Sequence, residues 1–333
     1  MTEVTALVTG DLDLVAEELR AGDRFLLTTH ENPDGDALGS MLATHRILEA
    51  LGKDSVMYLG AKEFPLPVEY QFLPLEEVFH EPPADVSTRV LVFLDCGNID
   101  RMPVDFLRED SRVINIDHHH DNTRFGTINV VDVDASSTAE IIYDLGGILG
   151  VDLTPEIANA LYVALVTDTG KFMYENADAR SHRMAAGLIE AGVDVNDTYR
   201  RLYEHAPIEK LKLLARALER IELRDDGRLA VTYISAEDYA STGASEALTE
   251  GVIDHLRTID GTRVAAVIRD QGERGRAARK VSMRSTDGEV DVSAIARVHG
   301  GGGHRRAAGF GTDLPYEQVV EFLIGEIETQ LGD

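Results

Sequence analysis

One cysteine, Cys96, is all that the 333 residues contain, which excludes an intramolecular disulfide framework and any cysteine-rich zinc site. Metal ions, if bound, must then be held by His, Asp or Glu. Basic charge is scarce as well: 32 Lys and Arg stand against 59 Asp and Glu, a net charge of −27. Such a chain repels long polyanions, whereas binding duplex nucleic acid requires many Lys and Arg contacts to phosphate. No long nucleic-acid partner is expected. No stretch approaches the roughly 20 apolar residues of a membrane span. The first ten residues also lack a basic region followed by a sustained apolar run, so the expectation is a cytoplasmic protein with no membrane role. Internal repeats and low-complexity tracts are missing too, and the length predicts two domains.

What is present alternates between strand and helix. Arg24-Phe25-Leu26-Leu27-Thr28-Thr29 reads as a buried strand, residues 37–51 have helical apolar spacing up to Gly52, and residues 53–59 restart a strand. Arg89-Val90-Leu91-Val92-Phe93-Leu94 and Arg112-Val113-Ile114-Asn115-Ile116 are apolar runs, each followed by an acid. Runs of this kind suit a parallel sheet covered on both faces. In open α/β sheets the ligand site lies beyond the carboxyl ends of the strands, and His30, Asp95 and Asp117 fall there. Ser137-Thr138-Ala139-Glu140 has the pattern of a capping box, and Thr154-Pro155-Glu156 opens another helix reaching about Thr167. Residues 178–191, 196–205 and 207–220 also read as helices. Residues 192–218 are taken as a helical connector between residues 1–191 and a second, smaller α/β domain over residues 219–333. In that domain, residues 229–234, 263–268 and 280–283 are the strand candidates, and helices are expected near 244–258, 291–298 and 315–331.

Four segments carry acids and histidines. His30-Glu31-Asn32-Pro33-Asp34-Gly35-Asp36 follows a strand, and the glycine would let a tight loop aim both aspartates at one region. Turns favour the same residues for backbone reasons alone. Asp95 ends the third strand candidate, where its bland reading is a cap or turn. Asp117-His118-His119-His120-Asp121 follows the next strand; each imidazole has two nitrogens to satisfy, and short histidine tracts are recognised metal-binding signals. Asp168 closes a helix in Leu165-Val166-Thr167-Asp168-Thr169-Gly170, where an acid opposes the helix dipole. Imidazole with carboxylates suits Mn²⁺, Zn²⁺ or Fe²⁺.

Taken jointly, these segments resemble the DHH phosphoesterases, and within them the small two-domain type that acts as oligoribonuclease and 3′-phosphoadenosine-5′-phosphate phosphatase. The likeness covers nearly the whole chain, because all four segments occur in the family's order. It implies that His30, Asp34 and Asp95 hold one metal and that Asp36, Asp95, His118 and Asp168 hold the other, with Asp95 shared. His119 would contact the scissile phosphate and Asp117 would orient a histidine through its other ring nitrogen. His120 is an addition to the two-histidine core and has no assigned role. Oxygen and imidazole ligands favour two Mn²⁺ ions, with Co²⁺, Mg²⁺ and Zn²⁺ as alternatives.

The last motif is Gly300-Gly301-Gly302-Gly303-His304-Arg305-Arg306-Ala307-Ala308-Gly309, within the one basic region of the chain: residues 269–306 hold nine Lys or Arg and five Asp or Glu. Glycines let backbone N–H groups approach an anion, and adjacent His and Arg add donors. A flexible linker is the bland alternative. The segment resembles the Gly-Gly-Gly-His-x-x-Ala-Ala-Gly motif of the domain attached to this subfamily, and Ser282-Met283-Arg284-Ser285 resembles its substrate-binding strand. The resemblance implies that the N-terminal domain cuts while the C-terminal one grips a nucleotide in a cleft, using Arg284, Ser285, Gly302, Gly303, His304 and Arg306. The charged run around Gly275 is read as a solvated loop. Expected substrates are RNAs of two to five nucleotides, a nucleoside bisphosphate, or a linear or cyclic dinucleotide such as cyclic di-AMP. An inorganic pyrophosphatase shares the N-terminal motifs but carries a different C-terminal domain, and a RecJ-type exonuclease carries extra domains. A non-catalytic nucleotide-binding regulator is the reading from another class; against it, every expected ligand position is filled. Apolar helix faces leave a homodimer open.

Overall fold

Strands β1 (Arg24–Thr28), β2 (Asp54–Met57), β3 (Val90–Leu94), β4 (Val113–Asp117) and β5 (Ile128–Val131) pair in parallel in the order β2-β1-β3-β4-β5. This is a computed structural model, and it describes residues 2–101, 106–108, 110–204, 206–249, 251–271 and 277–332; the charged run around Gly275 lies outside the described residues. Two compact units result, Met1–His205 and Ala206–Asp333.

Alternation along the strands explains why they read as continuous apolar runs. Phe25, Leu27, Val92, Leu94, Ile114 and Ile116 enter one core, while Leu26, Leu91, Phe93 and Val113 enter a second on the opposite face. The first core takes up apolar side chains of α1 (Thr2–Ala21), α2 (Gly35–Ala50), α3 (Thr138–Leu149) and α4 (Pro155–Asp168). The second is closed by Cys96 and Tyr58, with Val86, Ile99, Phe106 and Phe125 from connecting segments packed against it. Both faces are thus covered, one by helices and one by irregular chain. Helices α5 (Ala179–Glu190) and α6 (Val195–Tyr203) complete this unit.

The second unit begins with α7 (Ile208–Glu219). It continues through β6 (Glu222–Arg224), β7 (Leu229–Ile234), α8 (Ala236–Thr242), α9 (Val252–Leu256), β8 (Val264–Asp270), β9 (Arg279–Ser285), α10 (Val292–Val298), β10 (Gly302–His304), β11 (Ala307–Thr312) and α11 (Tyr316–Leu331). Its sheet runs β10-β11-β9-β8-β7-β6, antiparallel except for the β7–β8 pair. Of residues 192–218, α6 therefore lies in the first unit and α7 in the second.

Two sequence expectations need revision, and a third segment takes a form that the sequence did not name. The capping box at residues 137–140 does not form: the Glu140 carboxylate turns to the Ser136 backbone N–H (2.9 Å) and to Arg180, and the Ser137 hydroxyl makes no cap bond. Asp36 takes the place of the box, accepting from the N–H groups of Thr138 (2.6 Å) and Ala139 (3.0 Å) at the head of α3. The Asp-Gly-Asp segment is a helix start rather than a loop. Asp34 caps α2 through the Ala37 N–H (3.1 Å), and Gly35 is already helical. A Cβ on Gly35 would stand 2.3 Å from Thr167 Oγ1, and one on Gly39 would stand 2.4 Å from the Ala160 carbonyl, so both glycines serve the close approach of α2 and α4. Finally, the glycine-rich segment is the β10–β11 hairpin. Cβ atoms on Gly301, Gly303 and Gly309 would meet backbone oxygens at 2.3, 2.4 and 2.7 Å, so their backbones pack where no side chain fits.

Candidate metal centre

Parallel pairing brings the carboxyl ends of β1, β3 and β4 to one edge, and the chemistry-bearing residues are the next ones along each chain. His30 follows β1 by one residue, Asp95 follows β3 directly, and Asp117 ends β4. The α2–α4 contact delivers Asp34 and Asp36 from the start of one helix and Asp168 from the end of the other.

Asp95 stands at the centre, 1% exposed and with a left-handed backbone (φ 55°) that a non-glycine residue adopts only when its surroundings hold it there. Its Oδ2 lies 3.5 Å from His30 Nε2, and its Oδ1 lies 3.7 Å from His118 Nε2 and 3.5 Å from His119 Nδ1. His118 Nε2 is also 3.8 Å from Asp36 Oδ2 and 3.7 Å from Asp168 Oδ2. Donor atoms of His30, Asp34 and Asp95 converge within 4.8 Å of one another; those of Asp36, His118 and Asp168 do the same.

Backbone carbonyls decide which ring nitrogen faces the carboxylates. His30 Nδ1 is 2.8 Å from the Glu31 carbonyl and His118 Nδ1 is 3.2 Å from that of Ala135. A carbonyl only accepts, so each Nδ1 carries a proton and Nε2 is the nitrogen turned to the acids. His119 is fixed differently. Its Nδ1 lies 2.7 Å from Oδ1 of Asp117, which is fully buried and whose Oδ2 accepts from Asn122 Nδ2 at 2.5 Å.

The electrostatics follow from this crowding. Burial and the neighbouring Asp95 push Asp34 up, and burial with Asp95, Asp168 and Asp34 pushes Asp36 well above the ordinary carboxylate value. Asp168 is pushed up to about 7, by burial first and then by Asp95 and Asp34 against the pull of His118. Asp95 is the exception: burial opposes its charge, yet His30, His119 and His118 hold its carboxyl below the usual range. For Asp117 burial again opposes, and the His119 bond outweighs it. Burial works against a charged His119 too, but Asp117 and Asp95 raise it to about 9. Imidazole nitrogens set among carboxylates are the donor chemistry of first-row divalent cations, and these residues fit a pair of them.

Some contributors carried no sequence signal. Thr138 Oγ1 donates to Asp95 Oδ1 (3.1 Å), and Asn176 Nδ2 donates to Asp168 Oδ2 (3.1 Å) and to the Ser136 carbonyl (2.8 Å). Asn176 is an ordinary loop residue in the sequence. Thr138 stood inside the supposed capping box, where its tie to Asp95 could not be seen. His120 is exposed.

In the second unit, Arg284 on β9 and His304 on β10 both pair with Ala307 of β11, one from each side, so the two stand on the same sheet face with only a methyl group between them. Ser285 is more committed: its N–H donates to the Arg306 carbonyl (2.9 Å) and its Oγ accepts from the Gly288 N–H (3.1 Å). Arg306 donates from Nη2 to the Asp287 carbonyl (3.1 Å), which ties the hairpin turn to the β9–α10 connection. Gly302 is exposed with open space where a Cβ would stand. Gly303 is exposed too, at φ 134°.

Comparison with known proteins agrees with both units. Residues 24–165 match the DHH family, N-terminal domain, and residues 226–333 match the DHHA1 domain. A relative in Thermus thermophilus, described as bifunctional oligoribonuclease and PAP phosphatase NrnA, is 35% identical over 94% of each chain. One of the same description in Bacillus subtilis is 27% identical, covering 86% of this chain and 88% of its own. Among solved structures, an exopolyphosphatase-related protein from Bacteroides fragilis superposes with a TM-score of 0.88 at 23% identity over 96% of each chain.

Proposed function

The chain belongs to the DHH family and is a hydrolase of phosphoester bonds, and from this we propose that it cleaves short oligoribonucleotides to mononucleotides and 3′-phosphoadenosine-5′-phosphate to AMP at a two-manganese centre. The observation that carries the reading is that Asp95 converges with His30 and Asp34 and also lies 3.7 Å from His118 Nε2, in the group of Asp36, His118 and Asp168, so that each group has one histidine turning Nε2 to the acids. His30, Asp34 and Asp95 would hold one ion; Asp36, Asp95, His118 and Asp168 would hold the other. Bound there, such a pair would make water easier to deprotonate and would offset charge on phosphate oxygens.

The chain's own residues do the rest. Asp117 holds His119 by Nδ1, so Nε2 is the nitrogen that would donate to a non-bridging phosphate oxygen as negative charge builds there. Thr138 and Asn176 keep Asp95 and Asp168 from turning away. In the hydrolysis itself, a water oxygen forms a new bond to phosphorus, the bond to the leaving nucleoside oxygen breaks, and the water's proton ends on that oxygen. No covalent enzyme intermediate is required.

The second unit supplies the nucleotide contacts, Arg284 and His304 foremost. The matching description of the relatives from Thermus thermophilus and Bacillus subtilis supports the substrate class, since both are described as oligoribonuclease and PAP phosphatase. Incubation of the purified protein and Mn²⁺ with a dinucleotide should release mononucleotides, and Asp95→Ala should abolish that release. Undiminished cleavage by the variant overturns the mechanism. A panel of short RNAs, nucleoside bisphosphate, cyclic di-AMP and pyrophosphate then ranks the substrates.

A further inference from the structure

A second group of ligand-type side chains lies in the first unit, away from the centre just described. His45 sits nine residues beyond Asp36 on α2, roughly 13 Å along the helix axis at 1.5 Å per residue. It packs over β2, the edge strand, where its Nδ1 lies 2.7 Å from Ser55 Oγ. The residue is 5% exposed, and its Nε2 is buried with no hydrogen-bond partner. That nitrogen points into a hollow that Glu76, Phe79 and His80 also line. Two carboxylates approach it there: Glu49 Oε1 at 3.6 Å, one helical turn along α2, and Glu77 Oε2 at 4.0 Å.

An ion pair does not account for the arrangement. Burial lowers the His45 pKa against the pull of Glu49 and Glu77, with Arg46 adding to the lowering. Burial thus favours the neutral ring. In the tautomer whose Nδ1 proton is directed at Ser55, Nε2 offers its lone pair to the hollow in which the two acids stand. A cation seated between them would satisfy the buried, unpartnered Nε2 and both acids at once. Arg46 does not reach that position, because its Nη1 bonds the other oxygen of Glu49, Oε2, at 2.6 Å.

We propose that His45 Nε2, Glu49 and Glu77 form a second, non-catalytic site for a divalent transition-metal ion of zinc type. One imidazole and two carboxylates, with water from the open side as fourth ligand, make up a tetrahedral donor set. Ligand atoms about 2.0–2.1 Å from such an ion stand roughly 3.3 Å apart. The observed 3.6 and 4.0 Å close to that by small rotations of two carboxylates that are 43% and 72% exposed. The mechanical consequence is specific. Phe79 is bound to the edge of β2 by its N–H to the Met57 carbonyl (2.8 Å) and by its carbonyl to the Leu59 N–H (3.0 Å). An ion at Glu77 would therefore staple that segment to α2, the helix whose first turn carries Asp34 and Asp36.

The test counts ions rather than turnover. Full-length protein is saturated with Zn²⁺, dialysed against metal-free buffer, and its metal content measured by mass spectrometry beside Glu77→Gln and His45→Gln. Both variants should carry one zinc per chain fewer than the parent. They should also lose the part of the zinc-induced rise in melting temperature that belongs to this site. Cleavage of a dinucleotide with Mn²⁺ should be the same in parent and Glu77→Gln. Equal zinc content and equal melting shifts in parent and Glu77→Gln overturn the proposal. If His45→Gln does not fold, Glu49→Gln takes its place.

Discussion

Oδ1 of the buried Asp117 accepts from His119 Nδ1 at 2.7 Å and from the backbone N–H of His118 at 2.8 Å, so one carboxylate oxygen sets both the ring of one histidine and the main chain of its neighbour. Asp117→Asn retains the shape but replaces the charge that aligns His119. The turnover number on a dinucleotide should fall roughly 10–100-fold, the usual cost of losing such a supporting partner, with two manganese ions still bound. Initial rates at saturating Mn²⁺ and a metal count check this. A turnover number within twofold of the parent rejects the orienting role.

The α2–α4 contact gives the second prediction. In Gly39→Ala the new methyl would lie 2.4 Å from the Ala160 carbonyl and 2.8 Å from Ala164 Cβ, atoms of a packed helix with little room to move. Alanine gains about 1 kcal/mol of helix propensity, whereas overpacking costs about 1–3 kcal/mol. Urea unfolding should show a net loss of up to about 2 kcal/mol, and the midpoint for manganese binding should rise because Asp34 and Asp36 move with α2. A more stable variant would show that the helices separate at no cost.

Acid stability offers a third check, away from the metals. Asp238 is buried, which disfavours its charge, but Arg220 and the Ser235 N–H (2.8 Å) hold its pKa below the ordinary 3.8. A depressed folded value means that the unfolded chain binds more protons in that window. The carboxylate's contribution is therefore whole above the ordinary value and disappears as pH falls through the folded one. Asp238→Asn should lower the melting temperature at pH 7, and the gap to the parent should narrow steadily below about pH 4. A gap that stays constant down to pH 2 would falsify the linkage.

The fourth prediction concerns the second unit. Arg284 and His304 flank Ala307 on one sheet face. A charge-assisted hydrogen bond contributes about 1.5–3 kcal/mol, so Arg284→Ala should raise KM for a dinucleotide by roughly 10–100-fold. Metal content and unfolding midpoint should stay at parental values. If the variant instead loses turnover at unchanged KM, the residue acts elsewhere.

Several elements were legible from residues alone because one rule decides each. The strands at 24–28, 90–94 and 113–117 are apolar on both faces, and no other element of that length needs to be. Helices α4 and α5 announce their starts through Thr154-Pro155 and Asp178. What escaped was decided by neighbours. β5, α8 and the β10–β11 hairpin have short or glycine-rich sequences whose regularity comes from pairing and packing. Ser137 and Glu140 satisfy a local capping rule, yet Arg180 and Ser136 compete successfully for the glutamate.

By itself, the sequence determined the inventory: acids and histidines at strand ends in a recognisable order, a single thiol, too few for a cysteine-rich metal site, and one basic, glycine-rich stretch. These are properties of residue type and spacing, which survive without coordinates. Only the tertiary structure decided which atoms meet. The Glu31 and Ala135 carbonyls choose the Nε2 face of His30 and His118, Asp36 becomes the cap of α3, and Gly35 and Gly39 let α2 approach α4. Each of these depends on groups far apart in the chain, or on a hydrogen bond whose partner no local pattern names. The geometry of the candidate centre is therefore a product of packing, while its chemistry was already written in the residue types.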